Sequence, residues 1–463
     1  MIGMLKKLLR YLAYLAAAFF GLAALLFAAV FFANFNDEDL LPEVAALLKP
    51  TPVLVAGKDN AYTAFVALGA PAGSDAVAWA MQWMESAGKV VDAGSSEAHN
   101  KRFEVAAPRE RKTFYPQGNA RFIETALKQR SVLEKRIAEE EALLQRYEQM
   151  AAMPSFQESR GGFSLFTPLP DFQLLLYAQS LVVARAIFAA EDGRFESALA
   201  ALEGDSAIHR RSIAAGHQLI VKMVAARALE RNLFAASELM HRHGAGMRKF
   251  SSRLARLAAP LNAEARAVRP MLEAELAHSS SLMLALTQMS RQELGALGPF
   301  GMPEGLPLMM AYLPNASVNL AYRIMQPMLE LDAMSPATIP AAIATASAES
   351  ELRLQGVAGY SLRNFTGRTL ISAAGPRLDQ YAYRIFDLDG LARLVFLQVM
   401  LLEKSVPATV IPDFLTTSDA ALADPYTGKP MTWDEKDQTM SFEIKGRKPG
   451  GIEKEPQRFS VRL

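Results

Sequence analysis

The chain contains no cysteine. That excludes disulfides, thiol nucleophiles and thiolate-ligated metals, and it suits an oxidising exterior. Net charge is nearly as scarce, with 49 Lys and Arg against 48 Asp and Glu for a formal balance of +1. A protein that holds nucleic acid through bulk electrostatics carries a marked basic excess, so no nucleic-acid partner is expected. The signatures of common chemistries are missing as well: there is no Gly-rich phosphate loop, no H-E-x-x-H and no G-x-S-x-G. Ser418-Asp419-Ala420 followed by Tyr426-Thr427-Gly428-Lys429 brushes against penicillin-binding motifs. The later triplet is reversed, so that chemistry is rejected. β-Branched residues are sparse until the C-terminal end while Ala and Leu dominate, which favours helix.

One long apolar run is present. Tyr11 to Ala33 is 23 residues without a charge. As a helix it reaches about 35 Å, enough to cross a hydrocarbon core of about 30 Å. Lys6, Lys7 and Arg10 precede it, and Asp37, Glu38 and Asp39 follow. The flanking basic residues put residues 1–10 in the cytoplasm and everything after Asn34 outside. A cleaved signal has a shorter apolar core, about 7 to 15 residues, and a small-residue exit where this chain has bulky Phe31 and Phe32. The expectation is an uncleaved single-pass anchor at residues 11–33. Ala17 with Gly21 and Ala24 with Ala28 are small-xxx-small pairs, read as lipid-facing filler in an Ala-rich helix.

Roughly 425 residues follow, enough for two or three domains. With 51% hydrophobic and 21% charged residues they should fold. Residues 34–118 read as membrane-proximal helices and an exposed loop. A short helix from Asp39 to Leu48 ends at Pro50 and Pro52; Tyr62, Phe65 and Leu68 fall at helical spacing; Asp75 is placed to cap a segment carrying Trp79 and Trp83; and 88–118 lack a clear period. Residues 119–294 read as a helical-hairpin domain that opens with one charged helix from Ala120 to Met150, where Lys135 with Glu139 and Arg136 with Glu140 are spaced to pair. Four helices then follow between 171 and 245. The first carries Leu174, Tyr177, Leu181, Ala184 and Phe188; the second starts at Ala198 after the turn E-D-G-R-F; the third spans Ile213 to Leu229; the fourth carries Leu233, Ala236 and Met240 up to Gly244. The pattern is tetratricopeptide-like, although Phe195 and Phe234 lie 39 residues apart rather than about 34.

GALGPFGMPEGLP at 295–307 reads as a Gly/Pro linker. Residues 308–422 form a second helical segment, with helices at 318–332, 338–355, 366–374 and 378–403. In 423–463 the β-formers of MTW, MSFEI and RFSVRL gather, with D-E-K-D as a turn between the first two. The expected fold class is therefore mostly α: one N-terminal transmembrane helix, a helical-hairpin body and a small C-terminal antiparallel β element.

Candidate sites are few. Glu238, His241 and His243 are the one tight group of metal-ligand types, but the two histidines and Arg242 fall in a last turn before Gly244, where cations suit the helix dipole. No metal and no cofactor is assigned, and the catalytic residues are unknown. His99, His209, His217 and His278 are scattered; a triad would have to assemble in space. Met309-Met310 and the methionines of M-Q-P-M at 325–328 read as core filler rather than a copper site. Arg248, Lys249, Arg253 and Arg256 interleave with Phe250, Leu254 and Leu257, and read as a solvated face before a headgroup-binding one. Asp387 and Asp389 are a carboxylate pair for which helix-start capping is the simpler account. Asn364-Phe365-Thr366 matches a glycosylation sequon.

Three stretches together resemble a family of single-pass envelope proteins common in proteobacteria: DNAYTAFVALGAPAGSD at 59–75, PLPDFQLLLYAQSLVVARAIFAAEDGRFESAL at 168–199 and DPYTGKPMTWDEKDQTMSFEI at 424–444. In the last, Asp424-Pro425 and Gly428 turn the chain into a strand at Met431, as in a C-terminal hairpin of many exported bacterial proteins. The resemblance implies location and fold; it brings no activity and no catalytic residues. The expected function is a non-enzymatic scaffold or interaction module that meets another envelope protein beside the inner membrane. The alternative is an extracytoplasmic hydrolase acting on cell-wall or lipid material through carboxylates or histidines assembled in a deep pocket.

Overall fold

In the computed structural model the N-terminal apolar run is a single helix, α1 (Ile2–Ala33). The structure describes residues 2–49, 53–55, 57–103, 113, 122–158, 166–288, 311–333, 338–357, 361–374, 378–446 and 457–463. Within α1, Leu9–Ala33 has a mean hydropathy of 2.5 and none of it is buried in the protein. It is long and apolar enough to cross a membrane, and a signal sequence has the same form. The short α2 (Pro42–Leu47) follows, opened by its first-turn proline.

Beyond it, helices begin where a cap satisfies their first amides. Asn60 caps α3 (Ala61–Ala67) through Tyr62 N at 3.1 Å, and Asp75 caps α4 (Ala76–Ala87) through Ala78 N at 3.0 Å. Of 88–118, expected to be an exposed loop, Ala93–Arg102 form α5 instead, while 104–112 and 114–118 lie outside the described residues. Asp92 and Ser95 bond reciprocally across its first turn at 2.7 and 3.1 Å, a polar capping box that a search for apolar periodicity passes over. The single charged helix expected at 120–150 is three: α6 (Phe122–Lys128), α7 (Arg130–Glu139) and α8 (Glu141–Ala152). Lys135 and Glu139 do approach, to 3.9 Å.

The four helices expected between 171 and 245 are three longer ones. α9 (Phe172–Glu191) starts on an Asp171 cap and ends where Gly193 takes φ +78°. α10 (Phe195–Ala215) and α11 (Leu219–Met247) follow, so the chain turns at 216–218 rather than before Ile213 or at 230–232. Glu158 accepts from the amides of His217 and Gln218, capping α11 from far away in sequence. Helical geometry breaks at His243 (φ −123°, ψ 26°), beside the helix end expected before Gly244, and a further helical stretch then carries α11 on to Met247. These three helices contain 20, 21 and 29 residues and form no equal repeating unit. α9 also passes a length test for a membrane span, but 78% of it is buried, which makes it a core helix.

Then come α12 (Ser251–Leu257), α13 (Ala263–Arg266), α14 (Arg269–Ala285), α15 (Pro314–Leu329), α16 (Ile339–Val357), α17 (Phe365–Ala374), α18 (Asp379–Lys404) and α19 (Ile411–Thr417). The last four expected helices are therefore present, while the expected linker at 295–307 lies outside the described residues. After α19 the chain turns at Asp424–Lys429, with Gly428 at φ +64°, into a three-stranded antiparallel sheet of order β1 (Thr432–Asp434), β2 (Thr439–Glu443), β3 (Arg458–Arg462). Asp434 accepts from the amides of Lys436 and Asp437 at 2.9 and 3.0 Å, which closes the D-E-K-D turn. Met440 pairs with Val461 and Phe442 with Phe459, all four buried.

Two compact units are distinguished, each made of pieces far apart in sequence. The larger comprises Pro50–Glu275, Pro327–Ser347 and Arg377–Leu463. Its core joins α9, α10, α11 and α18 to the inner face of β2 and β3. Leu181, Leu199, Leu202, Leu233 and Leu391 are buried there, each contributing about 1.5–3 kcal/mol. α18 presents Gly390 to the Phe442 ring; a Cβ at that position would lie 2.4 Å from it. The smaller unit comprises Met1–Lys49, Leu276–Gln326 and Ala348–Pro376. In it Asp37 accepts from Asn315 N at 2.8 Å and Ala316 N at 3.0 Å, capping α15, and Glu38 accepts from Asn319 Nδ2 at 2.8 Å.

Candidate functional site

A densely bonded polar cluster lies inside the larger unit, where α8, α9, α10 and α11 meet. Asp205 and His209 are one helical turn apart on α10 and both are buried. Asp205 Oδ1 receives the Tyr147 hydroxyl at 2.5 Å and stands 3.4 Å from His209 Nε2. Its Oδ2 receives Asn232 Nδ2 at 2.7 Å and Gln179 Nε2 at 3.2 Å. Tyr147 Oη and His209 Nε2 are 3.0 Å apart, and Asn232 also reaches Ser206 Oγ at 3.1 Å. Burial opposes the Asp205 charge, but His209 together with the hydrogen bonds from Tyr147 and Asn232 outweighs it and holds the carboxyl below its usual range.

Tyr, His and Asp thus do meet in space, as a triad must. The cavity beside His209 holds only about 20 Å³, however, and Phe65, Met150, Phe172, Leu175, Ile208 and Val221 line it. That is room for about one water. The cluster works as a polar rivet through four helices.

A larger cleft of about 350 Å³ opens in the same unit between α11 and α18. Arg227 and Glu230 on one side face Arg384 and Asp387 on the other, over a floor that includes Met223, Leu388 and Phe459. Asp387 Oδ1 accepts the Tyr426 hydroxyl at 2.6 Å and Lys445 N at 3.0 Å, and Oδ2 accepts Gly446 N at 2.8 Å. Burial, then the Asp387 charge, drive the Tyr426 hydroxyl far above its ordinary pKa, so it remains a donor. A carboxylate holding three donors is an anchor for the chain leaving β2; a general base needs a free lone pair in reach of substrate. Gly446 fits this close approach because a Cβ would fall 2.7 Å from Asp387 Oδ2.

Asp389 points elsewhere, as expected of residues two apart on a helix. It accepts from Leu261 N at 2.8 Å and Arg393 at 2.6 Å, with Arg266 at 3.7 Å. Neither aspartate caps the start of its own helix: α18 begins at Asp379, and both lie well inside it. Each satisfies backbone amides of a distant segment instead.

Glu238, His241 and His243 diverge. Glu238 accepts from Phe122 N at 2.7 Å and Ile123 N at 2.9 Å, so it caps α6. His241 Nδ1 lies 2.8 Å from Leu463 O, and His243 Nε2 lies 2.8 Å from Glu191. Among the described residues no group of three His, Asp or Glu converges on a metal position. The basic run is also engaged: Arg253 pairs with Glu203 at 2.5 Å, Arg256 with Glu203 at 3.4 Å, and Arg248 donates to Leu402 O at 3.1 Å. Met325 and Met328 are buried, while Met309-Met310 lie outside the described residues. Asn364 of the sequon is buried, with Nδ2 donating to Ser317 at 3.0 Å. Tyr147, Gln179, Asp205 and Asn232 were not singled out in the sequence, and the signal available was their polar character at core positions of apolar helices.

Burial pushes the Glu238 carboxyl up, against the pull of its two amide donors. Glu238→Ala should lower stability by about 1–3 kcal/mol because it orphans those amides, whereas Glu238→Gln keeps an acceptor and should cost less. Thermal unfolding of the two variants checks the order; equal losses would show that the cap contributes nothing.

No family model, no curated protein and no solved structure matches the chain.

Proposed function

We propose that the protein is a membrane-anchored periplasmic scaffold or interaction module of the bacterial cell envelope, with α1 retained as a single inner-membrane span and its N-terminus in the cytoplasm. The observation that carries this reading is the contrast between α1, apolar over Leu9–Ala33 and entirely unburied, and its far end, which is hydrogen-bonded into the folded chain. Arg363 donates to Ala33 O and Asn36 O at 3.0 and 3.1 Å, and Asn364 N donates to Asn34 at 2.7 Å. Cleavage near Ala33 would cut through these bonds. The basic residues before α1 and the acidic ones after it support the orientation. The resemblance to single-pass envelope proteins and the antiparallel helical-hairpin character of α9 to α11 are consistent with an interaction module.

The body is read as non-enzymatic because its notable carboxylates, Asp205, Asp387, Asp389 and Glu238, each accept hydrogen bonds that hold the fold together. The hydrolase alternative has the α11–α18 cleft in its favour, but of the two carboxylates there Asp387 already holds three donors and Glu230 is paired with Arg227. Topology reporters fused to the two ends test the anchor: an export-dependent enzyme should be active at the C-terminus and inactive at the N-terminus. Activity at the N-terminus would overturn the orientation. Crosslinking in intact membranes followed by purification should recover a reproducible envelope partner, and its absence over repeated trials would count against the scaffold.

A further inference from the structure

We infer that the short loop 361–364 and Phe365, the first residue of α17, form a second membrane contact, in which Leu362 and Phe365 enter the interfacial layer of the bilayer beside the end of α1. This rests on the reading of α1 as a retained span. Asn34 donates to Leu362 O at 2.7 Å as well as to Val30 O at 2.7 Å, and its own oxygen accepts from Asn364 N at 2.7 Å. Arg363 bonds the carbonyls of Ala33 and Asn36. The loop is therefore one hydrogen bond away from the last turn of the span. With the apolar stretch of α1 ending at Ala33, its neighbours lie at headgroup depth.

At that depth the loop displays the wrong side chains for water. Leu362 is 49% exposed and Phe365 44%; on the segment to which they are bonded Phe32 is 76% exposed and Phe35 65%, while Asn364 is turned inward at 4%. Asn364 spends its polar atoms on Leu313 N at 3.0 Å and on Ser317. Scattered apolar residues on a surface are ordinary, but four gathered on segments bonded to the end of a span mark a contact surface. Arg363 completes the chemistry. Its guanidinium satisfies carbonyls that the end of α1 leaves open, a cation there suits the helix dipole, and its apolar stem suits the boundary layer. The occupant this surface fits is the lipid interface itself, continuous with the lipid around α1.

The chain's lack of cysteine makes the test direct. Full-length Leu362→Cys, Phe365→Cys and Phe20→Cys variants are labelled with an environment-sensitive fluorophore and placed in phosphatidylcholine–phosphatidylglycerol vesicles. The lipids carry nitroxides either near the headgroup or near the tail end. Circular dichroism confirms that each variant is folded. Both loop probes should be blue-shifted and quenched about twofold more by the shallow nitroxide than by the deep one, with the reverse order at Phe20. If Phe20 is quenched while both loop probes behave as in water, the loop contact is wrong and the span stands. A blue shift without quenching by either lipid would mean that protein covers the loop, and that also overturns the proposal. If Phe20 itself is not quenched, the span is wrong and the loop contact goes with it.

Discussion

Replacing Asp205 by Ala is expected to lower the unfolding free energy at neutral pH by about 3–5 kcal/mol, the range for removing one member of a buried charged network. The loss arises because Tyr147, Asn232 and Gln179 would keep their buried donors and lose the acceptor they share. Asp205→Asn should cost less, since one amide oxygen still accepts. The two variants also carry a pH signature. The Asp205 carboxyl sits below its usual 3.8, so the fold favours the ionised form. Its stabilisation is then complete above the unfolded value and is lost as pH falls through the folded one. The gap between wild type and Asp205→Asn should hold from about pH 7 to 5 and close below about pH 4. Chemical denaturation across that range measures it. A gap that instead widened on acidification would show that the carboxyl is not held ionised by its neighbours.

The parts of this fold that could be read from sequence are those whose cause is local. α1 follows from an uncharged run of sufficient length; the Asp75 cap and the D-E-K-D turn follow from side chains that bond backbone within three residues; the strands follow from clustered β-formers. The places where local reading failed are those settled at a distance. The turn at 216–218 is bonded by Glu158, and the kink at His243 sits where that imidazole meets Glu191, some fifty residues earlier. Gly244 marks a helix stop in the sequence, and helical geometry does break beside it at His243; what is not local is that helix resumes to Met247, with Leu402 3.4 Å from where a Cβ on Gly244 would stand. The same applies to polar residues. Glu238 and Asp389 resemble site carboxylates in sequence, and only tertiary structure reveals that the groups they face are orphan backbone amides. Asp205 and His209 did carry a local clue, one helical turn apart, but Tyr147 and Asn232 complete the cluster from other helices.

Asp389→Ala should be at least as damaging, again about 3–5 kcal/mol, but for a different reason. The Asp389 side chain is fully buried and is the acceptor for Arg393 at 2.6 Å, with Arg266 3.7 Å away and Leu261 N bonded at 2.8 Å. Its charge also supports Arg210, whose guanidinium burial pulls down to about 10 while it donates to Leu257 O and Ala259 O. Deleting the carboxylate therefore leaves net positive charge in a largely buried site, where hydration replaces the lost partner only in part. That account predicts a rescue. Adding Arg393→Met to Asp389→Ala should recover part of the loss, because the second change removes an unpaired charge and leaves an apolar chain of similar length. Unfolding free energies of the single and double variants supply the cycle. If the losses simply add, the guanidinium is reaching solvent and the site is not the closed charge cluster that its burial implies; if the double variant is the more stable, charge balance around Asp389 is what fastens α18 to the turn at Leu261.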